Sequence, residues 1–597
     1  MAEYKIPLKD MQFVLNDLLG METALQSMPA YEGVDADIVA QVLEEAGKFA
    51  SGVIAPLNAI GDVEGCKLND DSSVTTPSGF REAYQKFVEG GWPGLSMSAD
   101  YGGQGLPCSV QIAVNESLYG ANAAWGLYIG LSQGAYKCLE ACASEEIKSQ
   151  YLPKLADGSW MGTMCLTEPQ AGSDLSQVKT RAEPNGDGSY SLTGGKIFIS
   201  AGEHDFSENI LHLVLARLPD APAGTRGISL FLVPRHLPDA DNNPGERNEI
   251  RCVNLEHKMG IHGNATCVIN MDGAKGWLIG EPNRGLANMF VMMNEARLTV
   301  GNEGLALSEG AYQLAAAYAK ERIQSRSAAV PVPEGKVSNP IIDHPDVRKM
   351  LLTQRAYVEG GRAIIYWTAL LTDVENSHAD AAERERAKKL VEFLTPIAKG
   401  FVTDNGVLCT NLAIQCFGGY GFIHETGIEQ YFRDVRIKTI YEGTNGIQAL
   451  DLIGRKVLHD GGERLGMMID IIKGQIAESA AVEGLSDHAA ELGRVVETVA
   501  DLTAWVAEEN KSNPAESAAA ATDYLRLVSH MVCGYLWLKM ATVASRKLQT
   551  GQDAAFHQAK LTTAAFYFQR LLPEADAAAR SARAGSAGLM AMPVEAF

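Results

Sequence analysis

Apolar residues recur at three- and four-residue spacing through most of residues 35–154, as in DIVAQVLEEAGKFASGVIAPL, and this period predicts helices. The glycine-rich DYGGQGLP (100–107) punctuates them. From about 161 to 280 the texture changes. Short runs such as SYSLTGGKIFIS, NILHLVLARL and GISLFLVPRHL are divided by turn clusters such as NGDG (185–188), which predicts antiparallel strands. Long helical patterns return from about 284 to 460, with PVPEGKVSNP (331–340) as a surface loop. The stretch 461–597 is alanine-rich and reads as a further antiparallel helical unit, its tail after Ala582 expected to fray. At the start of the chain, Met11, Val14, Leu15 and Leu18 share a helical face and should pack on the body of the protein. Strands segregated from helices argue for an α+β fold and against a Rossmann sheet.

Composition narrows the class. The chain has 597 residues, 46% hydrophobic and 21% charged, the balance of a soluble globular protein. A formal charge of −22 disfavours nucleic acid and anionic membrane surfaces. Ten cysteines are scattered singly with no CxxC pair, as expected of reduced thiols in a cytoplasmic protein. The first twenty residues resemble neither a signal peptide nor a transit peptide, and no membrane span is expected.

Several catalytic signatures are missing. There is no GxxxxGK[ST], HExxH or GxSxG, and no metal site is expected. The segment IYEGTNGIQ (440–448) is more informative, with a carboxylate, a glycine and a threonine at the junction of strand-like and helical texture. Glycine allows close backbone approach, and threonine can cap the following helix. A carboxylate among apolar neighbours suits a general base, because desolvation raises its proton affinity. Taken alone, Glu442 is still more plainly an ordinary surface glutamate.

Six ordered motifs change that reading. They are CLTEPQAGSD (165–174), KIFIS (196–200), EHKMGIHGNATCVI (256–269), NEARL (294–298), AKERIQSR (319–326), and QCFGGYGF followed by RDVRIKTIYEGTNGIQ (415–448). Together they resemble the acyl-CoA dehydrogenase family over about 91–453, within its long bacterial branch that includes 3-methylmercaptopropionyl-CoA dehydrogenases. The resemblance implies the family fold, a helical domain, a central β-barrel-like domain and a four-helix bundle, here with an extra C-terminal helical domain. The expected boundaries are 1–160, 161–282, 283–460 and 461–597.

The resemblance also implies FAD, an acyl-CoA substrate, and electrons passed to an electron-transfer flavoprotein. Glu442 corresponds to the base that removes the α-proton. Leu166, Thr167, Phe198 and Ser200 correspond to contacts with the flavin. Arg322 and Gln324 correspond to residues that reach the FAD of a neighbouring subunit. His344, with Pro345 beside it, Gln415, Gly418, Gly419, Thr444 and Asn445 correspond to further cofactor contacts. Ser173, Asn294, Arg297, Tyr441 and Gly443 correspond to substrate contacts. A known alternative base sits just before the arginine matching Arg297, where this chain has Ala296, and Glu295 one residue further back faces another way.

Gln430, Gln177, Asn294 and Gly446 depart from the family pattern. Cofactor sites shared between subunits imply at least a dimer, and the extra helices favour a homodimer over a tetramer. Besides a scaffold that binds acyl-CoA without turning it over, two other readings remain at this stage. One is an acyl-CoA oxidase. The other is a DNA-associated flavoprotein of the same superfamily, which the 12 Lys plus Arg against 16 Asp plus Glu in 461–597 disfavours.

Overall fold

NILHLVLAR is buried at every position but its last, and ISLFLVP throughout, so both must lie inside a sheet and not at its rim. A computed structural model of the chain describes residues 4–551 and 553–597. It forms two compact units, one of Met1–Ala40 with Val300–Phe597, the other of Gln41–Thr299.

The second unit holds a seven-stranded sheet: β1 (Trp160–Cys165), β2 (Arg181–Pro184), β3 (Tyr190–Ser200), β4 (Asn209–Arg217), β5 (Ile228–Pro234), β6 (Ile250–Leu255) and β7 (Thr266–Ile279). Hydrogen bonding runs β6-β7-β3-β2-β4-β1, and β5 pairs with both β4 and β7. The ring β7-β3-β2-β4-β5 therefore closes on itself as a small barrel filled by Val214, Phe231, Val233, Ile269 and Met271. One expectation is corrected: β1 runs parallel to β4, with Trp160 opposite Asn209. Two intervening strands supply the long crossover that parallel pairing needs.

Outside the barrel lie α1 (Cys108–Ala121), α2 (Ala123–Cys142) and α3 (Glu145–Ala156). α1 is buried at every position, and its Tyr119 packs closely on Gly126 and Gly130 of α2. Gly162 lets β1 lie against α2, since a Cβ there would meet Ala135 Cβ at 2.3 Å.

The first unit is helical. It contains α4 (Gly285–Glu321) from Val300 onward, α5 (Pro345–Ser377), α6 (Ala381–Phe417), α7 (Ile428–Arg436), α8 (Asn445–Leu450), α9 (Glu463–Ala480), α10 (Ser486–Ser512), α11 (Ala515–Gln549), α12 (Ala554–Phe566) and α13 (Glu574–Ala582). Among the described residues α11 alone is long and apolar enough to cross a membrane, but its most apolar window is 89% buried in the protein, and it serves as a core helix. Its Trp537 Nε1 donates to the Ala356 carbonyl of α5 at 3.2 Å. Met11, Val14, Leu15 and Leu18 are all buried, as their spacing predicts.

The tail is more ordered than expected. Glu516 accepts hydrogen bonds from the Ser586 amide (2.9 Å) and hydroxyl (2.6 Å), and a short helix, Ser586–Met590, begins at that anchor.

Candidate active site

In the helical unit, α7 is followed by one 3-10 turn, Ile437–Thr439, where the sequence looked strand-like. The amphipathic pattern of α7 carries on into that turn, so no strand forms. Lys438 and Glu303 make a buried ion pair at 2.7 Å. The Tyr441 hydroxyl donates to the same Glu303 carboxylate and accepts from Lys438 Nζ at 2.9 Å. Lys438 Nζ also lies 5.2 Å from the centre of the Tyr441 ring.

Immediately after this anchor the backbone turns left-handed twice, at Glu442 (φ 57°) and Gly443 (φ 88°). Glycine bears that conformation freely, whereas a glutamate there costs about 1–3 kcal/mol. The surroundings hold it in place. Gln448 Nε2 donates to the Glu442 carbonyl at 3.4 Å and the Gly443 carbonyl at 3.2 Å. Thr444 caps α8 by accepting from the Ile447 amide at 3.3 Å. The Asn445 amide is occupied by Lys399, Gly400, Thr403 and Asp404, so a cofactor contact from this residue falls to its backbone.

At the end of α4, the exposed Arg322 guanidinium lies 5.7 Å above the ring of Tyr420. The chain then loops back on itself. The Ile341 amide donates to the Arg322 carbonyl at 2.8 Å, and the Gln324 carbonyl faces His344 Nε2 at 2.8 Å. Gln415, Gly418 and Gly419 end α6 on the same exposed surface, beside Tyr420 and the 90% exposed Phe422. The structure thus brings Arg322 together with the GGYG turn, and Gln324 with His344.

In the barrel unit, Leu166 and Thr167 follow β1 directly. Thr167 pairs with β3, its carbonyl accepting from the Ile197 amide at 2.9 Å. A bulge follows in β3, where Ile197 and Phe198 together oppose Val268 of β7. Phe198 takes φ 61° there and is 59% exposed. A bulged residue of this kind re-aims its side chain out of the sheet. Ser200 sits just beyond, opposite Thr266.

Asn294 is exposed, and Arg297 is buried with its guanidinium 6.0 Å from the Phe290 ring. Glu295 pairs with Lys137 at 2.8 Å. Ser173 lies in an exposed turn after β1.

The residues present fit FAD. The exposed Phe198 ring beside the Leu166–Thr167 peptide suits a flat conjugated ring, and the exposed Arg322 suits a phosphate.

Two buried ion pairs beside the candidate site residues escaped the reading of the sequence. Lys438–Glu303 carries Tyr441. Lys196 and Glu168, at 2.8 Å, lie beneath Leu166 and Thr167. One signal was available for the second. Lys196 shares the inward face of β3 with Leu192, and an inward lysine demands a carboxylate.

Four family models match the chain in order. They are "Acyl-CoA dehydrogenase, N-terminal domain" at 40–159, "Acyl-CoA dehydrogenase, middle domain" at 163–274, "Acyl-CoA dehydrogenase, C-terminal domain" at 283–458 and "Acetyl-CoA dehydrogenase C-terminal like" at 468–593. A 3-methylmercaptopropionyl-CoA dehydrogenase of Ruegeria pomeroyi is 43% identical, covering 96% of this chain and 97% of its own. A butyryl-CoA dehydrogenase of Syntrophomonas wolfei is 35% identical, covering 100% and 99%. The crystal structure of an acyl-CoA dehydrogenase complexed with FAD from Bacillus anthracis superposes with a TM-score of 0.74 at 21% identity, covering 94% and 90%.

Proposed function

Because the chain belongs to the acyl-CoA dehydrogenase family and is an FAD-dependent enzyme of that kind, we propose that Glu442 is the base that takes the α-proton of its acyl-CoA. The observation that carries this is the left-handed Glu442–Gly443 pair, held by Gln448 behind it and by the anchored Tyr441 before it. A strained carboxylate position over-determined by its surroundings is what a fixed base requires. Bound FAD supplies a two-electron acceptor for the β-hydride, and the product is a trans-2-enoyl-CoA.

In this reading Glu442 receives the proton on its carboxylate, and its backbone N–H donates to the thioester oxygen as charge develops there. Tyr441, Gly443, Ser173, Asn294 and Arg297 bind the substrate. Leu166, Thr167, Phe198 and Ser200 contact the flavin. Arg322, Gln324, His344, Gln415, Gly418, Gly419, Thr444 and Asn445 hold the rest of the cofactor. The four stretches 1–160, 161–282, 283–460 and 461–597 act as its domains. The enzyme works in the cytoplasm as a homodimer, an arrangement supported by the exposed Tyr420 and Phe422 around Arg322. It passes its electrons to an electron-transfer flavoprotein.

The substrate is a short acyl-CoA. Two of its relatives are named for short acyl groups, while a third, 33% identical, is named for broad specificity toward linear acyl-CoAs.

The test is Glu442→Gln with FAD bound. The variant should bind acyl-CoA yet fail to bleach its flavin, and bleaching at the normal rate excludes Glu442 as the base. A panel from propionyl- and methylthiopropionyl- to palmitoyl-CoA, with an artificial electron acceptor, ranks the chain lengths. Rapid peroxide formation in air would instead mark an oxidase.

A further inference from the structure

Lys196 is fully buried on the inner face of β3, and its partner Glu168 is almost as deeply enclosed. An ammonium group without water needs a counter-charge and a full set of acceptors. Lys196 Nζ has the counter-charge and two acceptors, donating to Glu168 Oε1 at 2.8 Å and to the Leu166 carbonyl at 3.0 Å. Glu168 is equally committed. It accepts from the Thr180 hydroxyl (2.6 Å) and amide (3.1 Å), the Lys179 amide (2.8 Å) and Gln170 Nε2 (2.6 Å). Burial would push this carboxyl up, but Lys196 and these donors outweigh it and hold it at about 2. Burial draws Lys196 below its usual value and Glu168 opposes that pull, and beside so weakly basic a carboxylate the proton rests on Lys196. Apolar side chains of the same volume would fill the space with little loss of stability, so stability alone does not account for charges here.

The Leu166 carbonyl belongs to the same peptide unit as the Thr167 amide. In a planar trans peptide the two point in opposite directions. Lys196 draws the carbonyl inward, so the Thr167 N–H faces away from the buried pair. The next carbonyl, of Thr167, is fixed by the Ile197 amide at 2.9 Å, which leaves this peptide little freedom to rotate. A charged donor on a carbonyl also polarises its amide and strengthens the N–H as a donor.

We propose that Lys196, kept charged by Glu168, is a positioning residue for the flavin. It aims and polarises the Leu166–Thr167 peptide, so that the Thr167 N–H favours the negative charge of the reduced ring. This rests on the reading that Leu166 and Thr167 face the flavin.

The experiment compares Lys196→Met, Lys196→Arg and Glu168→Gln with the parent enzyme, each loaded with FAD. The midpoint potential is measured by dye-coupled reduction without acyl-CoA, beside the visible spectrum and thermal unfolding. Lys196→Met should shift the reduced-to-oxidised ratio about tenfold toward oxidised flavin, a fall of about 30 mV for a two-electron couple. Glu168→Gln should shift it the same way, and Lys196→Arg should restore most of the potential. A folded Lys196→Met with unchanged potential and spectrum overturns the proposal. If that variant does not fold, an unchanged potential in Glu168→Gln overturns it. Acyl-CoA bleaching of the parent flavin tests the dehydrogenase reading separately, because the potential is measured without substrate.

Discussion

Lys560 Nζ of α12 lies 2.8 Å from Glu359 Oε2 of α5, both side chains enclosed by the protein. Lys560 also pairs with Asp10, which is shared with Arg362, and Arg362 reaches Glu309 at 2.6 Å. The cluster ties the N-terminal segment, the bundle and the added C-terminal helices of the first unit together. Lys560→Met would leave Asp10 and Glu359 facing each other with one cation fewer. It should cost about 3–5 kcal/mol, read as a lowered denaturation midpoint. Burial would push Asp10 up, yet Lys560 and Arg362 outweigh it and hold its carboxyl below the usual value of 3.8. Its contribution is thus complete above that value and drains away in acid as the pH falls through the lower folded value.

His262 should make stability depend on alkaline pH. Its ring faces the Asp62 carboxylate at 2.9 Å and the Lys258 carbonyl at 2.8 Å, and the Asp62 hydrogen bond leads in raising it to about 9 from 6.5. A raised cation stabilises the fold fully below about pH 6.5, and that stability is lost as the pH climbs through 9. Melting temperature measured between pH 6 and 10 should fall across that window in the parent protein. Asp62→Asn should flatten the fall, and an equal slope in both would sink the assignment.

The order of textures was legible because helical and strand periods differ and here occupy separate stretches. Motif residues that lie near one another in sequence, such as Tyr441, Glu442 and Gly443, were legible too. Two kinds of feature were not. The left-handed turn at Glu442 depends on Gln448, Glu303 and Lys438, and no local propensity places a glutamate there. The parallel pairing of β1 with β4 and the Lys196–Glu168 bond join residues far apart along the chain. Such pairings are set by barrel closure and not by the spacing of apolar residues.

Glu295 is the nearest acidic rival to Glu442 along NEARL, and its bond to Lys137 bears on that rivalry. Its carboxylate is committed to that ion pair at 2.8 Å, whereas Glu442 stands in the held left-handed turn. Glu295→Gln should therefore keep substrate-driven flavin reduction within about threefold of the parent rate, far less than the 10²–10⁴ typical of a lost general base. A loss as deep as that of Glu442→Gln would move the base to α4.

Arg322 offers a test of the dimer through the cofactor. Its guanidinium is exposed and stacked on the exposed ring of Tyr420, as a group meant for a neighbouring molecule would be. Arg322→Ala removes a charge-assisted contact and should weaken FAD binding to the apoprotein roughly tenfold. If each Arg322 serves the flavin of the other subunit, the variants Arg322→Ala, poorly loaded at limiting FAD, and Glu442→Gln should complement when co-expressed. A hybrid dimer then holds one site with an intact Glu442 from the first subunit and an intact Arg322 from the second. At limiting FAD, activity should rise well above that of either variant alone. If the hybrid shows no gain while native mass spectrometry shows that it forms, Arg322 serves its own subunit's flavin.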